Sequence, residues 1–170
     1  MRVGFSAGHV LLSKIIMKLT NSKASHSFIV FEAAGQELVI QANIHGVVCE
    51  HYDDFKKHST IIAEYELLLT LAQEKAVLGY ALQQLLQPYD VFALIGIAWV
   101  ILNKKLGRKV KQPFRNRHAY FCSELIATSL QAANFVLSHQ LDREMVSPED
   151  MIEFLDSHPQ AKLVYGERHL

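Results

Sequence analysis

The chain has 170 residues, of which half are hydrophobic and a fifth are charged, and this composition is typical of a folded globular protein. Its 17 basic and 17 acidic residues give a formal net charge of zero, so we expect no nucleic-acid partner. Two cysteines are too few for a disulfide framework and fit a reducing compartment. We expect a single domain over residues 1–170.

The apolar segments are too short or too interrupted for export or membrane insertion. His9, Lys14 and Lys18 break the N-terminal stretch, which therefore lacks the core of a signal peptide. The longest apolar run, residues 91–102, is shorter than the roughly 20 residues that a transmembrane helix needs. We therefore expect a soluble, cytoplasmic protein.

Strand patterns dominate the first part of the chain, after a helical spacing of apolar residues over 11–19. Runs rich in β-branched and aromatic residues predict strands at 2–5, 26–32, 37–42, 46–50 and 59–69. The second and third runs flank the turn-like stretch "AAGQ", which predicts a hairpin across residues 26–43.

The side chains on one face of this hairpin follow from its turn. If the turn is centred on Ala34 and Gly35, residue 26 pairs with 43 and residue 28 with 41. Because side chains alternate along a strand, His26, Gln41 and Asn43 then project from the same face. An amide oxygen of Gln41 or Asn43 can accept the imidazole N–H and hold one tautomer.

Helices are predicted mainly in the second part of the chain. Thr70 and Gln73 form a capping-box pattern before a helix that continues to Leu86 and stops at Pro88. Further helices are predicted from Asp90 to about Leu106, over 122–136, and after the cap signal "SPED" at 147–150. "KLVY" near the C-terminus predicts a closing strand. Strands in a block with flanking helices predict an α+β fold.

Residues 104–117 form a strongly basic segment. They hold seven of the seventeen basic residues and no acidic one. Such a run forms either a solvated loop or a contact for an anionic substrate, a phosphorylated lipid or a membrane surface. Together with the apolar helix before it, residues 91–117 are our candidate for a peripheral membrane contact.

Cys122 and His26 are the candidates for chemistry. A cysteine at the start of a helix gains from the positive end of the helix dipole, which lowers the pKa of its thiol. A thiolate nucleophile also needs a base, usually histidine, and a third group that orients the imidazole. From these residues alone, the catalytic interpretation is only suggested, because a lone cysteine in an apolar helix and a lone histidine in a strand are more often structural.

A resemblance favours the catalytic interpretation. The stretches "SKIIMKLTNSKASHSFIVFE", "LVIQANIHGVVCEHYDDF", "QPYD", "YFCSELIATSL" and "VSPEDMIEFL" resemble, in this order, the circularly permuted NlpC-type papain-like superfamily, the YiiX-like proteins. This superfamily also includes lecithin–retinol acyltransferase-like enzymes. The resemblance covers about Ser13 to Leu155, and its histidine strand precedes its cysteine helix.

The resemblance implies a fold and a site. It implies a papain-like antiparallel sheet packed against helices, with Cys122 as nucleophile, His26 as base and Gln41 as the orienting residue. Many relatives carry Glu at the position of Gln41, so this chain departs from the pattern there. We expect Tyr89, Tyr120 and Asn43 to contact the substrate, although Tyr120 also fits a simple packing role.

We thus expect a cysteine peptidase or amidase that uses no cofactor. Its substrate would be a peptide, an isopeptide, a cell-wall peptide or a lipid-like acyl compound. The alternatives are a lipid acyltransferase or thioesterase of the same fold and a catalytically inactive binding module. A zinc site built from Cys49, His51, His118 and Cys122 has spacings that match no familiar pattern. The sequence does not predict the oligomeric state.

Overall fold

The α+β class predicted from the sequence is confirmed. The computed structural model describes residues 1–8, 17, 22–90, 96, 99–100, 103, 107–108, 110, 120–143 and 145–166. Most of three predicted segments lies outside the described residues: the helix over 11–19, the helix from Asp90 and the basic segment 104–117.

In the described residues, six strands form one antiparallel sheet in the order β4-β3-β2-β1-β5-β6. The strands are β1 (Arg2–Ala7), β2 (His26–Ala33), β3 (Gln36–Asn43), β4 (Gly46–His51), β5 (Thr60–Leu67) and β6 (Ala161–Tyr165). Each of the six predicted strands is present.

The β2–β3 hairpin has the predicted register. Ile29 pairs with Ile40, and the pairing continues to the turn, where Ala34 and Gly35 both have positive φ, 52° and 74°. Two central residues with positive φ suit the right-handed twist of the flanking strands, as in a type I′ turn. The turn therefore fixes which β3 side chains lie beside His26.

Four α-helices are present in the described part of the chain: α1 (Tyr52–His58), α2 (Leu71–Gln83), α3 (Cys122–Ala132) and α4 (Pro148–Ser157). The capping boxes predicted at Thr70 and Ser147 are both formed. Helix α1 was not predicted: it is short, and its N-cap residue His51 makes no side-chain capping bond.

Two predicted helix ends are wrong because backbone pairing and left-handed residues stop the helices earlier. Helix α2 ends at Gln83 rather than Leu86, because Leu86 has φ of 69° and its N–H donates to the carbonyl of Val47 in β4. Helix α3 ends at Ala132 rather than 136, because Asn134 adopts the left-handed conformation with φ of 49°.

The sheet is covered by helices on both faces. Helices α2, α3 and α4 contribute Val77, Leu125, Leu130 and Ile152 to the larger apolar core. A smaller cluster on the other face joins Phe28, Val30 and Val39 to Tyr52 and Phe55 of α1. Alternate β2 residues thus enter different clusters, as the two-residue period of a strand requires.

Candidate active site

Cys122 is the first residue of α3 and is almost completely buried, with 3% of its surface exposed. Burial, the largest influence, raises the pKa of the thiol. A hydrogen bond and charge interaction with His26, and hydrogen bonds from the backbone and hydroxyl of Ser27, outweigh it and lower the pKa to about 7. The side chain is therefore partly ionised at neutral pH.

His26 is the first residue of β2, and its imidazole contacts both predicted partners. The ring lies near Phe28 and Phe55, with ring centroids 6.5 and 6.4 Å away. Nε2 is 2.6 Å from Oε1 of Gln41. Because an amide oxygen only accepts, Nε2 carries the proton in this pair, and Nδ1 is the nitrogen left for the thiol.

The charges around His26 favour its protonated form. Burial, again the largest influence, lowers the pKa of the imidazole. The hydrogen bond and charge interaction with Cys122, the hydrogen bond to Gln41 and the charge of Glu50 together raise the pKa above its usual 6.5. A raised imidazole pKa beside a lowered thiol pKa favours a thiolate–imidazolium pair near pH 7.

Glu50 belongs to the same hydrogen-bonded chain and was not among the predicted site residues. Nε2 of Gln41 donates to Oε1 of Glu50 on β4. In the β3–β4 register Gln41 pairs with Val48 and Val39 with Glu50, so Gln41 and Glu50 are diagonal neighbours on one face. Glu50 lies in the strand predicted at 46–50. Its place beside Gln41 could have been predicted by pairing that strand with the β2–β3 hairpin.

Tyr89 also contacts the thiol. Burial, the nearby charges of Cys122 and Asp90, and a hydrogen bond to Cys122 raise the pKa of Tyr89 well above 10.0. A raised tyrosine pKa means that the hydroxyl stays protonated at neutral pH, so it can donate a hydrogen bond to the sulfur.

Two backbone hydrogen bonds hold the Tyr89 segment beside the start of α3. The N–H of Tyr120 donates to the carbonyl of Pro88 at 3.1 Å, and the N–H of Asp90 donates to the carbonyl of Tyr120 at 3.1 Å. The hydroxyl of Tyr120 lies 2.8 Å from that of Tyr80 in α2. Tyr120 thus joins α2 to the segment that leads into Cys122.

A cavity of about 460 Å³ lies beside the imidazole. Its described wall includes His26, Gln41, Asn43, Glu50 and Tyr89, and Tyr120 is not among the described residues that line it. Oδ1 of Asn43 accepts the backbone N–H of His45 in the β3–β4 turn, so Gln41 is the amide that contacts the imidazole. Of the three predicted substrate contacts, Tyr89 and Asn43 therefore line this cavity.

The donor groups of the site do not assemble into a metal centre in the described residues. No group of three or more His, Cys, Asp or Glu side chains there is placed to hold a metal ion. His26 already contacts Gln41 and Cys122, and Glu50 accepts from Gln41. Of the hypothetical zinc ligands, Cys49 is exposed, Cys122 is buried, and His118 lies outside the described residues.

The fold resembles that of a solved structure, metalloprotein yiiX from Escherichia coli O157:H7, a DUF1105 protein. The likeness has a TM-score of 0.58 and covers 98% of this chain and 96% of that chain, at 18% sequence identity. The expected YiiX-like fold is confirmed, and a likeness at this identity shows the fold alone. No protein-family model and no curated protein matches the sequence.

The papain-like lineage and the thiol chemistry stay predictions.

In the part of the chain that the structure describes, no helix has both the length and the apolar character to cross a membrane. The predicted peripheral contact through residues 91–117 falls mostly outside the described residues.

Proposed function

We propose that the protein is a cysteine hydrolase of the permuted papain-like class that cleaves an amide or ester bond. Cys122 is the nucleophile, His26 the acid and base, and Gln41 the residue that orients the imidazole. The observation that carries the proposal is the arrangement around His26: Nε2 lies 2.6 Å from Oε1 of Gln41, and the imidazole and the Cys122 thiol interact closely enough to raise the pKa of His26 and lower that of Cys122. Nucleophile, base and orienting group in this order are the elements that thiol catalysis requires.

The reaction divides into acylation and deacylation. The Cys122 thiolate attacks the carbonyl carbon, a sulfur–carbon bond forms, and the bond to the leaving amine or alcohol breaks as His26 gives it a proton. His26 then takes a proton from water, whose oxygen attacks the thioester. Cleavage of the sulfur–carbon bond releases the carboxylic acid, and the thiolate–imidazolium pair is restored.

The negative charge that develops on the carbonyl oxygen during the reaction needs a hydrogen-bond donor to stabilise it. The backbone N–H of Cys122 lies at the first position of α3, where helix N–H groups have no partner within the helix. In this proposal it donates to the oxyanion, as preorganised backbone donors do in acyl transfer.

A neutral amide at the third position is compatible with activity. The Gln41 oxygen accepts from Nε2 at 2.6 Å, so it fixes the tautomer in which Nδ1 carries no proton and is available to the thiol. Unlike a carboxylate, the amide contributes no full charge to the imidazolium, but Glu50 supplies a negative charge one hydrogen bond further away. These contacts argue for an enzyme rather than an inactive binding module.

The test is covalent capture and turnover with a panel of acyl substrates. The panel contains activated fatty-acyl esters, activated short-chain esters, and peptides with amide or isopeptide bonds. We expect wild type and Cys49→Ala to form a thioester, visible as a mass increase on Cys122, and to release acid. Cys122→Ala should do neither, whereas an unchanged rate in that variant would refute the nucleophile assignment.

The same panel distinguishes the substrate classes. Preference for peptide amides supports a peptidase or amidase, including one acting on cell-wall peptides. Preference for long acyl esters, with transfer to an added amine or alcohol rather than to water, supports the lipid acyltransferase alternative. Flotation with anionic liposomes tests the membrane contact proposed for residues 91–117.

A further inference from the structure

The Gln41 amide is held from two sides, by His26 on one strand and by Glu50 on another. We propose that Glu50 is a positioning residue whose carboxylate fixes the orientation of the Gln41 amide, and through it the tautomer of His26. This inference rests on the proposed function and deepens it, since it assigns a further residue to the same site.

The orientation follows from the donors and acceptors available. An ionised carboxylate only accepts hydrogen bonds, so the NH₂ group of Gln41 must face Glu50. The planar amide then turns its oxygen toward His26, where it accepts from Nε2. A neutral imidazole has one N–H, and with that proton on Nε2 the lone pair of Nδ1 is free to receive the thiol proton.

Loss of Glu50 removes this constraint. The amide can then present its NH₂ group to Nε2, which must become an acceptor. The ring proton moves to Nδ1, and an imidazole protonated there cannot take the proton of Cys122. Glu50 thus acts two hydrogen bonds away from the imidazole and one interaction further from the sulfur, without touching the reacting atoms.

The strand register allows Glu50, and not its neighbours, to play this role. Side chains alternate along β4, so Cys49 projects to the opposite face from Glu50. Val48, which pairs with Gln41, has no polar group. Glu50 is therefore the β4 carboxylate on the face of the Gln41 amide.

The same contact changes the expected effect of a carboxylate at position 41. Considered without Glu50, Gln41→Glu should raise the pKa of His26 and extend the thiolate–imidazolium pair to higher pH. With Glu50 in contact, the substitution places two carboxylates together, and the hydrogen bond that holds the side chain at position 41 is replaced by repulsion. In the double variant Gln41→Glu with Glu50→Gln, the amide at position 50 can donate a hydrogen bond to the carboxylate at position 41. The negative charge then lies next to the imidazole of His26.

The decisive measurement is the tautomer of His26 by long-range ¹H–¹⁵N NMR. Cys122→Ala serves as the background, at a pH where the imidazole is neutral, and His26→Ala identifies the resonance. His45 and His58 line the same cavity, so a site-specific signal is needed rather than a bulk pH profile. We expect the Nε2–H form in this background and a fall of at least about tenfold in its ratio to the Nδ1–H form with Glu50→Leu, because hydrogen bonds to charged groups contribute enough for such a change.

Glu32→Gln is the matched control. It removes one negative charge from the exposed part of the same hairpin, opposite Glu37 in the β2–β3 register. Glu37 is four residues from Gln41, or about 13 Å along the strand. The control should leave the tautomer ratio unchanged. Retention of the Nε2–H form in a folded Glu50→Leu protein would overturn the proposal.

A charge exchange provides a second test that does not depend on the stability of Glu50→Leu. In Cys49→Ala protein, Gln41→Glu alone should slow alkylation of the remaining thiol at pH 7, and adding Glu50→Gln should restore it. A double variant no faster than the single one would also overturn the proposal. Neither readout needs substrate, so a protein that shows the tautomer change but no acyl transfer would refute the proposed function and keep the positioning role.

Discussion

Replacing His26 by alanine tests whether the imidazole ionises the Cys122 thiol. With the pKa at about 7, about half of the thiol is ionised at pH 7. Without His26, the two largest lowering influences are lost, and the raising effect of burial is opposed only by the weaker influences of Ser27, Tyr89 and the helix end, so the pKa should return to its usual 9.0 or above. The thiolate fraction at pH 7 then falls to about 1%, a loss of about 50-fold.

Nucleophilicity offsets part of this loss. A thiolate of higher pKa attacks faster, with a Brønsted slope of about 0.45, which returns a factor of about 8 over two pKa units. The net expectation is that His26→Ala slows alkylation by iodoacetamide about sixfold at pH 7. The midpoint of the pH profile should move from near 7 to 9 or above.

The assay is intact-protein mass spectrometry in Cys49→Ala protein, which leaves one thiol because the chain has two cysteines. Rates are followed from pH 5.5 to 9.5. The smaller alanine side chain leaves more room for the reagent, so reduced access does not explain a slower rate. Coincident profiles with and without His26 would refute the reasoning, since the helix end and Ser27 would then suffice to lower the pKa.

Three further predictions concern the neighbours of the dyad and the fold. Gln41→Ala should lower the hydrolysis rate by less than Cys122→Ala does. It should lower the rate more than Asn43→Ala does, because Asn43 accepts a hydrogen bond from its own turn and does not contact the imidazole; equal losses for the two amide variants in steady-state kinetics would contradict this. Tyr89→Phe removes a donor to the sulfur, so the alkylation midpoint should rise, and an unmoved midpoint would argue against that hydrogen bond. Ser147→Ala breaks the capping box of α4 and should lower the free energy of unfolding by about 1 kcal/mol in urea titrations. The rate of Cys122 alkylation should stay unchanged, and no loss of stability would show that the cap is dispensable.

The features that local sequence determines were predictable. The β2–β3 register followed from strand alternation and a two-residue turn, and it put Gln41 beside His26. The capping boxes at Thr70 and Ser147 are also local, since each is formed by residues three positions apart. These signals need no knowledge of distant contacts.

The features that depend on distant pairing were not predictable in the same way. Helix α2 ends early because Leu86 pairs with Val47, about 40 residues before it in the chain. The role of Glu50 depends on the register of a third strand, which the two-strand hairpin does not define. Helix α1 was not predicted because its seven residues span only about two turns, too few to show a helical period of apolar residues.

The two backbone hydrogen bonds between the Pro88–Asp90 segment and Tyr120 have a consequence for how such a chain can vary. They join the two ends of the intervening sequence two residues before the nucleophile. Because backbone atoms make both bonds, the side chains at positions 90 and 120 can vary without breaking them, whereas proline at either position would remove an N–H that the pairing needs. The chain can therefore change its side chains at this junction, in evolution or by design, while Cys122 keeps its position relative to His26.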